Sequence, residues 1–449
     1  MAHGTNRDLL QNRKQRAQTM KVLLISANTE RLVEVSLPLG LGLVAAATRR
    51  AGHEVAFLDM MTQPDAGRAV REILDILRPD LIGVSVRNID DQEMRSTRFL
   101  LEPIRELICE LRGLSAAPIV LGGAGYSIYP QSALAYLGAD MGIQGEGEVA
   151  FPMLLDRMKK ELSLAGTPGL ILAGSGSQGD RAFSESLNSF SLGNDLPDLA
   201  SSLGNEDVWF PYQTRRGCPM DCSYCSTAAV EGRRLRRRSP ALVTQEIARL
   251  ADQGIRRIHF VDNTFNVPAS YAKELCAGLA SIGAGLSWRC IVYPWRIDED
   301  LVGAMARAGC VEVTLGFESG CERILKGMNK RYRPEEVRES SRIFEDYGIR
   351  RLGMLLLGSP GETLSSVEET LVFADSLSCE LVAVTAGIRI YPDTPLANIA
   401  RAEGVIQPQD DLLLPRFYLA RGLEGRLAET LRAWTSGRPN WLFKAADTR

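Results

Sequence analysis

The chain has 449 residues, with 52 Lys and Arg against 55 Asp and Glu and a formal net charge of −3, so it carries no field that would by itself draw in nucleic acid. It is 45% hydrophobic and 24% charged, and no apolar run reaches the roughly 18–20 residues that cross a bilayer, which excludes a helical membrane-spanning protein. A single hydrophobic core rarely grows beyond about 250–300 residues, so two main domains and a tail are expected.

Residues 1–19, MAHGTNRDLLQNRKQRAQT, are polar and basic without the apolar stretch of a secretory signal. They read as a disordered leader, and the thiols are expected in the reducing cytoplasm. From Met20 strand and helix patterns alternate. KVLLISAN (21–28), HEVAFLD (53–59), LIGVSVRN (81–88) and PIVLGGAGYS (118–127) read as strands, with helices at 38–52, 69–80 and 95–113 and a last short strand and loop at 138–148. Such alternation implies a parallel sheet covered on both faces, because parallel strands need helical crossovers. Open sheets of this kind bind ligands beyond the carboxyl ends of their strands. Those ends carry Asn28, Ser85, Gly122, Gly123, Gly145, Glu146, Gly147 and Glu148. The glycines serve either as ordinary strand-to-helix turns or as the rim of a ligand site.

The domain over 20–158 gives way at 159–207 to a hairpin-like GTPGLILAGSGSQGD and an irregular connector, the expected linker. Over 208–400 strand patterns recur at 208–216, 256–262, 286–294, 311–319, 350–358 and 381–392, separated by helices at 239–254, 269–283, 298–309, 334–348 and 364–377. Six βα units suggest an incomplete parallel barrel, whose site lies at the carboxyl-end mouth. Polar or glycine residues end these strands: Arg216, Asp262, Glu318, Ser319, Gly358 and Arg389. The tail, 401–449, reads as one or two helices with aromatics.

Into that mouth opens TRRGCPMDCSYCST (214–227), with Cys218, Cys222 and Cys225 inside eight positions. Three such thiolates can hold zinc, a disulfide with a spare thiol, or an iron–sulfur cluster. Structural zinc wants four closed ligands, and the histidines, His3, His53 and His259, all lie far away in sequence. A disulfide is disfavoured by compartment. A cubane cluster usually takes four cysteines, so three leave one iron open for chemistry.

The CxxxCxxC spacing with Tyr224 before the third cysteine, following the first strand of a partial barrel, resembles the radical S-adenosylmethionine (SAM) superfamily. The resemblance implies that Cys218, Cys222 and Cys225 hold a [4Fe–4S] cluster, that SAM chelates the fourth iron, and that reductive cleavage yields a 5′-deoxyadenosyl radical which abstracts a hydrogen atom. Carried over position by position, Tyr224 lies near the adenine. Asp262 and Asn263 in FVDNTFN face the SAM amino group, and Glu318 and Ser319 in LGFESG its ribose or carboxylate. Gly358 in MLLLGSPGET falls in the fifth-strand glycine motif, with Glu362 one position later than usual, and Arg389 and Tyr391 in IRIYPDTP border the adenine.

The first domain is similar to the flavodoxin-like (Rossmann-like) cobalamin-binding domain that precedes the barrel in one radical SAM subgroup, on PLGLG (38–42), SVRN (85–88), LGGAGYSIYP (121–130) and GEGE (145–148). The implied fold is α/β: this domain followed by a partial (β/α)6 TIM-type barrel. Asn28, Ser85, Gly122, Gly123, Gly145, Glu146 and Gly147 then become cobalamin contacts. The DxHxxG motif that supplies an axial histidine in many such domains is absent; the loop reads NTERLVE, and His53 sits at the wrong strand end. Cobalamin is therefore expected without a protein histidine on cobalt.

The resemblance implies an enzyme that methylates an unactivated carbon of a specialised or lipid-like small molecule, supplied with electrons by a flavodoxin or ferredoxin. Radical rearrangement or cyclisation without methyl transfer, and a corrinoid or iron–sulfur sensor, are the competing readings. Five arginines in EGRRLRRRSP (231–240) read as a solvated segment or as a contact for an anion or an acidic donor. Cys109, Cys276, Cys290, Cys310, Cys321 and Cys379 read as buried small hydrophobes, and Trp288, Tyr293 and Trp295 as core.

Overall fold

The computed structural model describes residues 19–30, 37–192, 208–283 and 285–444. The leader thus lies outside the described residues except for Thr19, as does much of the irregular connector. The chain divides into two compact units.

The first unit holds β1 (Lys21–Ser26), α1 (Leu39–Arg50), β2 (Glu54–Asp59), α2 (Ala66–Leu77), β3 (Leu81–Ser85), α3 (Leu101–Leu114), β4 (Ile119–Gly122), α4 (Ala124–Ile128), α5 (Pro130–Leu137), β5 (Met141–Ile143), α6 (Gly147–Lys159) and the strands β6 (Leu170–Leu172) and β7 (Gly176–Ser177). Its sheet runs β2-β1-β3-β4-β5-β6-β7. The first five strands are parallel, and β1 and β3 align Val22 with Leu81 and Ser26 with Ser85. This is the flavodoxin-like order, in which the crossovers reverse direction between β1 and β3. In β1 every residue after Lys21 is buried, as expected of a strand with helices on both faces. Leu24, Leu81 and Val120 meet Leu41 of α1 and Phe151 and Leu154 of α6 in the core.

The second unit is built on β8 (Phe210–Tyr212), β9 (Arg215–Arg216), α7 (Thr227–Glu231), β10 (Arg236–Arg237), α8 (Pro240–Asp252), β11 (Arg257–Phe260), α9 (Ala269–Ala280), β12 (Ser287–Val292), α10 (Glu299–Arg307), β13 (Cys310–Glu318), α11 (Glu322–Gly327), α12 (Pro334–Asp346), β14 (Arg350–Leu357), α13 (Leu364–Ser376), β15 (Leu381–Ala386), β16 (Ile388–Arg389), α14 (Pro395–Ala402), β17 (Phe417–Tyr418), α15 (Arg426–Thr435) and β18 (Trp441–Phe443). Its main sheet runs β18-β15-β14-β13-β12-β11-β8, every pair parallel. The edge strands β8 and β18 pair on one side only, which makes the barrel partial. Trp288, Phe260, Phe265 and Phe317 are all fully buried; Trp288 Nε1 donates to Ala308 O at the end of α10, Phe260 and Phe265 cluster on Trp288, and Phe317 meets Phe373 of α13, so these rings pack the sheet against its helices.

Several boundaries differ from the sequence expectation, each for a local reason. The first sheet does not end at 158: the hairpin over 170–177 joins it antiparallel, Met141 opposite Leu172, because β5 leaves an edge to be paired. The run 118–127 stops at Gly122, where Gly123 at φ 100° turns the chain into α4. The helix expected from 95 begins at Leu101; residues Asp90–Phe99 belong instead to the second unit, where Asp90 pairs with Arg389. The run 381–392 breaks at Gly387, whose φ of 84° separates β15 from β16. The tail adds strands to its helices, with β18 closing the barrel edge beside β15. Cys109 is exposed, since the buried stripe of α3 is Leu101, Ile104, Leu107, Ile108 and Leu111; the other five scattered cysteines are buried, as are Trp288 and Tyr293.

Candidate active site

The cysteine loop is fixed by backbone geometry and by contacts within its own unit. It leaves β9 at Gly217, where φ is 86° and a side chain would collide with the carbonyl of Arg234, so only glycine fits. The loop is tethered on every side within its unit. Cys218 N donates to Gly232 O at 3.2 Å, Ser223 N to Met328 O at 3.0 Å, and Ser223 O accepts from Leu396 N at 3.0 Å. Asn329 Nδ2 reaches Asp221 O at 2.8 Å, Arg331 Nη2 reaches Pro219 O at 3.0 Å, and Arg233 pairs with the Asp221 carboxylate. Sequence reasoning missed Glu231, masked by the arginines after it. One of its carboxylate oxygens takes Gly217 N at 2.9 Å and Asn263 Nδ2 at 2.6 Å, and the other takes Gln213 Nε2 at 2.7 Å.

All three cysteines are free thiols of intermediate exposure. Burial, with Cys225 and Cys222 nearby, pushes the Cys218 thiol up to about 11. Burial also raises Cys222, opposed by the positive charge of Lys330. Cys225 Sγ donates to Thr227 Oγ1 at 3.2 Å and accepts from Thr227 N at 3.5 Å.

Beside the loop sits a polar group centred on Glu318. It lies at φ 61°, just past a shift of register between β13 and β14, a bulge of the kind that re-aims a side chain. Glu318 Oε1 accepts from Tyr224 OH at 2.8 Å and from Lys330 Nζ at 3.1 Å. For Lys330 burial is the largest influence and pulls its pKa down, but Glu318, Tyr332, Tyr224 and Cys222 together outweigh it and the net displacement is upward. Burial first, then Glu318, drives the Tyr224 phenol well above its ordinary range. Lys330 was not singled out from the sequence either, since nothing in KGMNKRYRP marks one lysine as buried.

Other residues expected to touch SAM also have partners within the protein. Asp262 is fully buried, and its carboxylate accepts from Thr214 N at 2.7 Å, Thr214 Oγ1 at 2.5 Å, Arg215 N at 3.1 Å and Arg215 Nε at 3.1 Å. It fixes the exit of the first barrel strand. Asn263 spends its amide on Glu231. Ser319, fully buried, joins the Thr370 hydroxyl at 2.9 Å and takes Cys321 N at 3.1 Å. Arg389 binds Asp90 at 2.7 Å, Ile390 O at 2.7 Å and Leu412 O at 2.8 Å. Each of these strand-end polar groups thus has partners within the protein, from loop backbone for Asp262 to the side chains of Glu231, Thr370 and Asp90 for Asn263, Ser319 and Arg389. Gly358, at φ 108°, donates with Ser359 N to the buried Glu362 carboxylate, so the late glutamate folds back to shape this turn. Tyr391 stays beside the cysteine loop; burial, Asp90 and Cys225 all raise its phenol against the pull of Arg389.

In the first unit, the rim at the β1/β3 switch is mostly backbone. Asn28 is buried, with Oδ1 accepting from Glu30 N at 3.4 Å and Nδ2 left without a partner. Gly122 faces open space, and at Gly123 a side chain would press to 2.5 Å from Val86 O and 3.0 Å from Ser85 Oγ. Gly145 N donates to Ser127 Oγ at 3.0 Å beside the aliphatic part of Arg181. The Glu146 carboxylate takes Ser184 N at 2.7 Å, and Gly147 lets α6 close on Val44. His53 accepts from Met20 N at 3.4 Å, at the opposite end of the sheet.

Comparison with known proteins decides the family. The radical SAM superfamily matches residues 212–374, and the B12-binding domain family matches residues 25–155. The chain thus carries a radical SAM domain and a B12-binding domain. This radical SAM enzyme is 26% identical to an uncharacterized methyltransferase of Pyrococcus horikoshii, over 87% of this chain and 85% of that one. It is 25% identical to the tryptophan 2-C-methyltransferase of Streptomyces laurentii, over 80% and 71%. Its fold resembles the solved radical SAM methyltransferase TsrM of Kitasatospora setae, whose structure holds cobalamin and a [4Fe–4S] cluster, with TM-score 0.84, 23% identity and coverage of 96% and 94%. The two domains thus stand in one chain, and the two relatives that span most of it are named methyltransferases.

The residues present fit those groups. Among the described residues no three His, Cys, Asp or Glu converge as ligands of one metal ion. Zinc would need such convergence, with its sulfurs each about 2.3 Å from one centre, whereas a cubane takes each thiolate at a separate corner. For the corrinoid, the orphaned Asn28 amide and the side-chain-free surface at Gly122 form the receptive part of the first rim.

Proposed function

We propose that this enzyme transfers a methyl group from SAM, by way of cobalamin, to an unactivated carbon of a specialised or lipid-like small molecule. The observation that carries the reading is the tethered three-cysteine loop at the mouth of a partial barrel, in a chain that also bears a flavodoxin-like B12-binding domain. When bound, the cluster and SAM supply a carbon-centred radical and the corrinoid supplies the methyl group; binding, orientation and exclusion of water fall to the protein.

In this proposal Cys218, Cys222 and Cys225 are the cluster ligands. Glu231 holds the loop through Gly217 and Asn263, and Asp262 holds the strand before it, both as positioning residues. Tyr224, Glu318 and Tyr391 remain the side chains that face SAM, with the Gly358 turn beside them, while Asn28, Ser85, Gly122 and Gly123 receive the corrinoid. The described residues contain no histidine at that rim, in keeping with cobalt free of a protein histidine. Nine free cysteines suit the reducing cytoplasm. The exposed Arg233 and Arg234, at side-chain exposures of 66% and 77%, suit an acidic flavodoxin or ferredoxin as electron donor. No described helix is long and apolar enough to cross a membrane.

The test is anaerobic turnover of reconstituted protein with hydroxocobalamin, reductant and SAM labelled on the methyl carbon, across a panel of candidate small molecules. Labelled product with both S-adenosylhomocysteine and 5′-deoxyadenosine supports methyl transfer. Deoxyadenosine with an unlabelled, rearranged product overturns it in favour of rearrangement, and SAM binding without either nucleoside favours a sensor.

A further inference from the structure

The main sheet of the second unit has two faces, and its helices take one of them. Trp288 reaches the end of α10, Phe317 meets Phe373 of α13, and Trp441 meets Trp434 of α15. Side chains alternate along a strand, so the positions between these lie on the other face. A barrel of this kind keeps its helices outside, and that other face lines the lumen. The register sets Ile291, Thr314 and Leu352 side by side there, across β12, β13 and β14. One layer nearer the mouth, Gly316, Met354, Ala383 and Leu442 stand side by side across β13, β14, β15 and β18. None of these positions carries a charge. Parallel strands are normally covered on both faces, yet Ile291, Met354 and Leu442 are 36%, 40% and 49% exposed.

Charge borders this apolar belt at both ends. Toward the amino ends of the strands, the Glu312 carboxylate lies 3.6 Å from the guanidinium groups of both Arg289 and Arg350, and Arg257 and Arg289 each stand 4.6 Å from the Trp209 ring centroid. Toward the mouth, a side chain at Gly316 would stand 3.4 Å from Glu318 Oε1, so the belt runs up to the polar group proposed to face SAM. From Glu312 to Glu318 the strand rises about 20 Å, at about 3.3 Å per residue. An apolar molecule loses nothing by leaving water for such a wall, whereas an anion gives up its hydration there without gaining a donor. We propose that this belt receives the apolar body of the substrate, and that Met354, with Ile291 and Leu442, selects an uncharged apolar molecule over an anionic one. The inference rests on the enzymatic reading above, because continuity with the SAM-facing group is what makes the occupant the substrate.

The test is equilibrium dialysis of the full-length, cobalamin-loaded and iron-reconstituted protein with two probes that share one aromatic body: uncharged naphthylphenylamine and its anionic analogue, anilinonaphthalene sulfonate. The parent should bind the uncharged probe about tenfold or more tightly than the sulfonate. Met354→Glu should weaken the uncharged probe about tenfold or more, by placing a carboxylate in the belt. Val372→Lys, on the exposed side of α13, should leave it within about twofold of the parent. Preference for the sulfonate, or an uncharged probe indifferent to Met354→Glu, overturns the proposal, as does an equal loss in Val372→Lys. If Met354→Glu fails to fold, Ile291→Trp decides by filling the belt: a lost probe supports the assignment and a retained one overturns it. A parent that binds the uncharged probe yet releases neither nucleoside in the turnover assay overturns the enzymatic reading, and the assignment of the belt to a substrate with it. One that releases both nucleosides but prefers the sulfonate overturns this inference alone.

Discussion

The two carboxyl-end rims of this chain solve the same problem in opposite ways. In the first unit the ends of β1, β3 and β4 are left almost bare: glycine at 122 and 123, and an Asn28 amide with no partner. In the second unit the strand ends are crowded with polar and charged side chains that are engaged internally, Asp262 with Thr214 and Arg215, Ser319 with Thr370, Arg389 with Asp90. In the proposed function the difference follows from what each rim would hold. A broad corrinoid needs close backbone approach, whereas a metal cluster on a long loop needs that loop pinned before three thiolates can stand at separate corners. Strand-end polarity in a parallel barrel is therefore as much a fastening for loops as a list of ligand contacts.

Perturbing each rim separately should separate the two cofactors. The largest effect is expected from Cys222→Ala, which should abolish the broad iron–sulfur absorbance and the release of 5′-deoxyadenosine while corrinoid binding and thermal stability persist; retained deoxyadenosine would contradict the cluster assignment. Next comes Asp262→Ala, which strands the buried Arg215 guanidinium and should cost about 3–5 kcal/mol of stability, read as a lowered urea midpoint. A loss under 1 kcal/mol would show that Asp262 does not fasten the loop. Gly123→Ala forces a side chain into a φ of 100° against Val86 O, at about 1–3 kcal/mol. It should weaken corrinoid binding and leave iron content at the parent level; equal loss of both would erase the contrast between the rims.

The smallest effect concerns pH. Burial in the barrel wall depresses the His259 pKa to about 4, below its unfolded value near 6.5. Its contribution to stability is then intact above about pH 6.5 and declines as the pH falls toward 4, because the unfolded state takes up the proton first. His259→Gln should flatten the fall in urea midpoint across that window without altering the midpoint trend above pH 7. An unchanged slope would place the acid sensitivity elsewhere.

Much of this was legible in residues 20–400. Doubly covered parallel strands are near-continuous apolar runs such as KVLLIS, and the spacing of Cys218, Cys222 and Cys225 states its chemistry locally. What escaped was long-range pairing. Asp262 meets Thr214 across 48 positions and Arg389 meets Asp90 across 299, and a residue type at a strand end does not say whether it aims at a ligand or a neighbouring loop. The same holds for β18, a three-residue strand that exists only because β15 offers it an edge. Lys330 was illegible for a related reason: besides its neighbour Tyr332, its surround draws on Tyr224 and Tyr293 from distant segments.

The most direct measurement is the iron, sulfide and corrinoid content of the anaerobically reconstituted, desalted full-length protein. About four irons and four sulfides per chain with one corrinoid, the irons lost in Cys222→Ala and the corrinoid lost in Gly123→Ala, is the expected result. Iron without stoichiometric corrinoid, or corrinoid retained only when the cysteines are intact, would contradict two independently built cofactor sites in one chain.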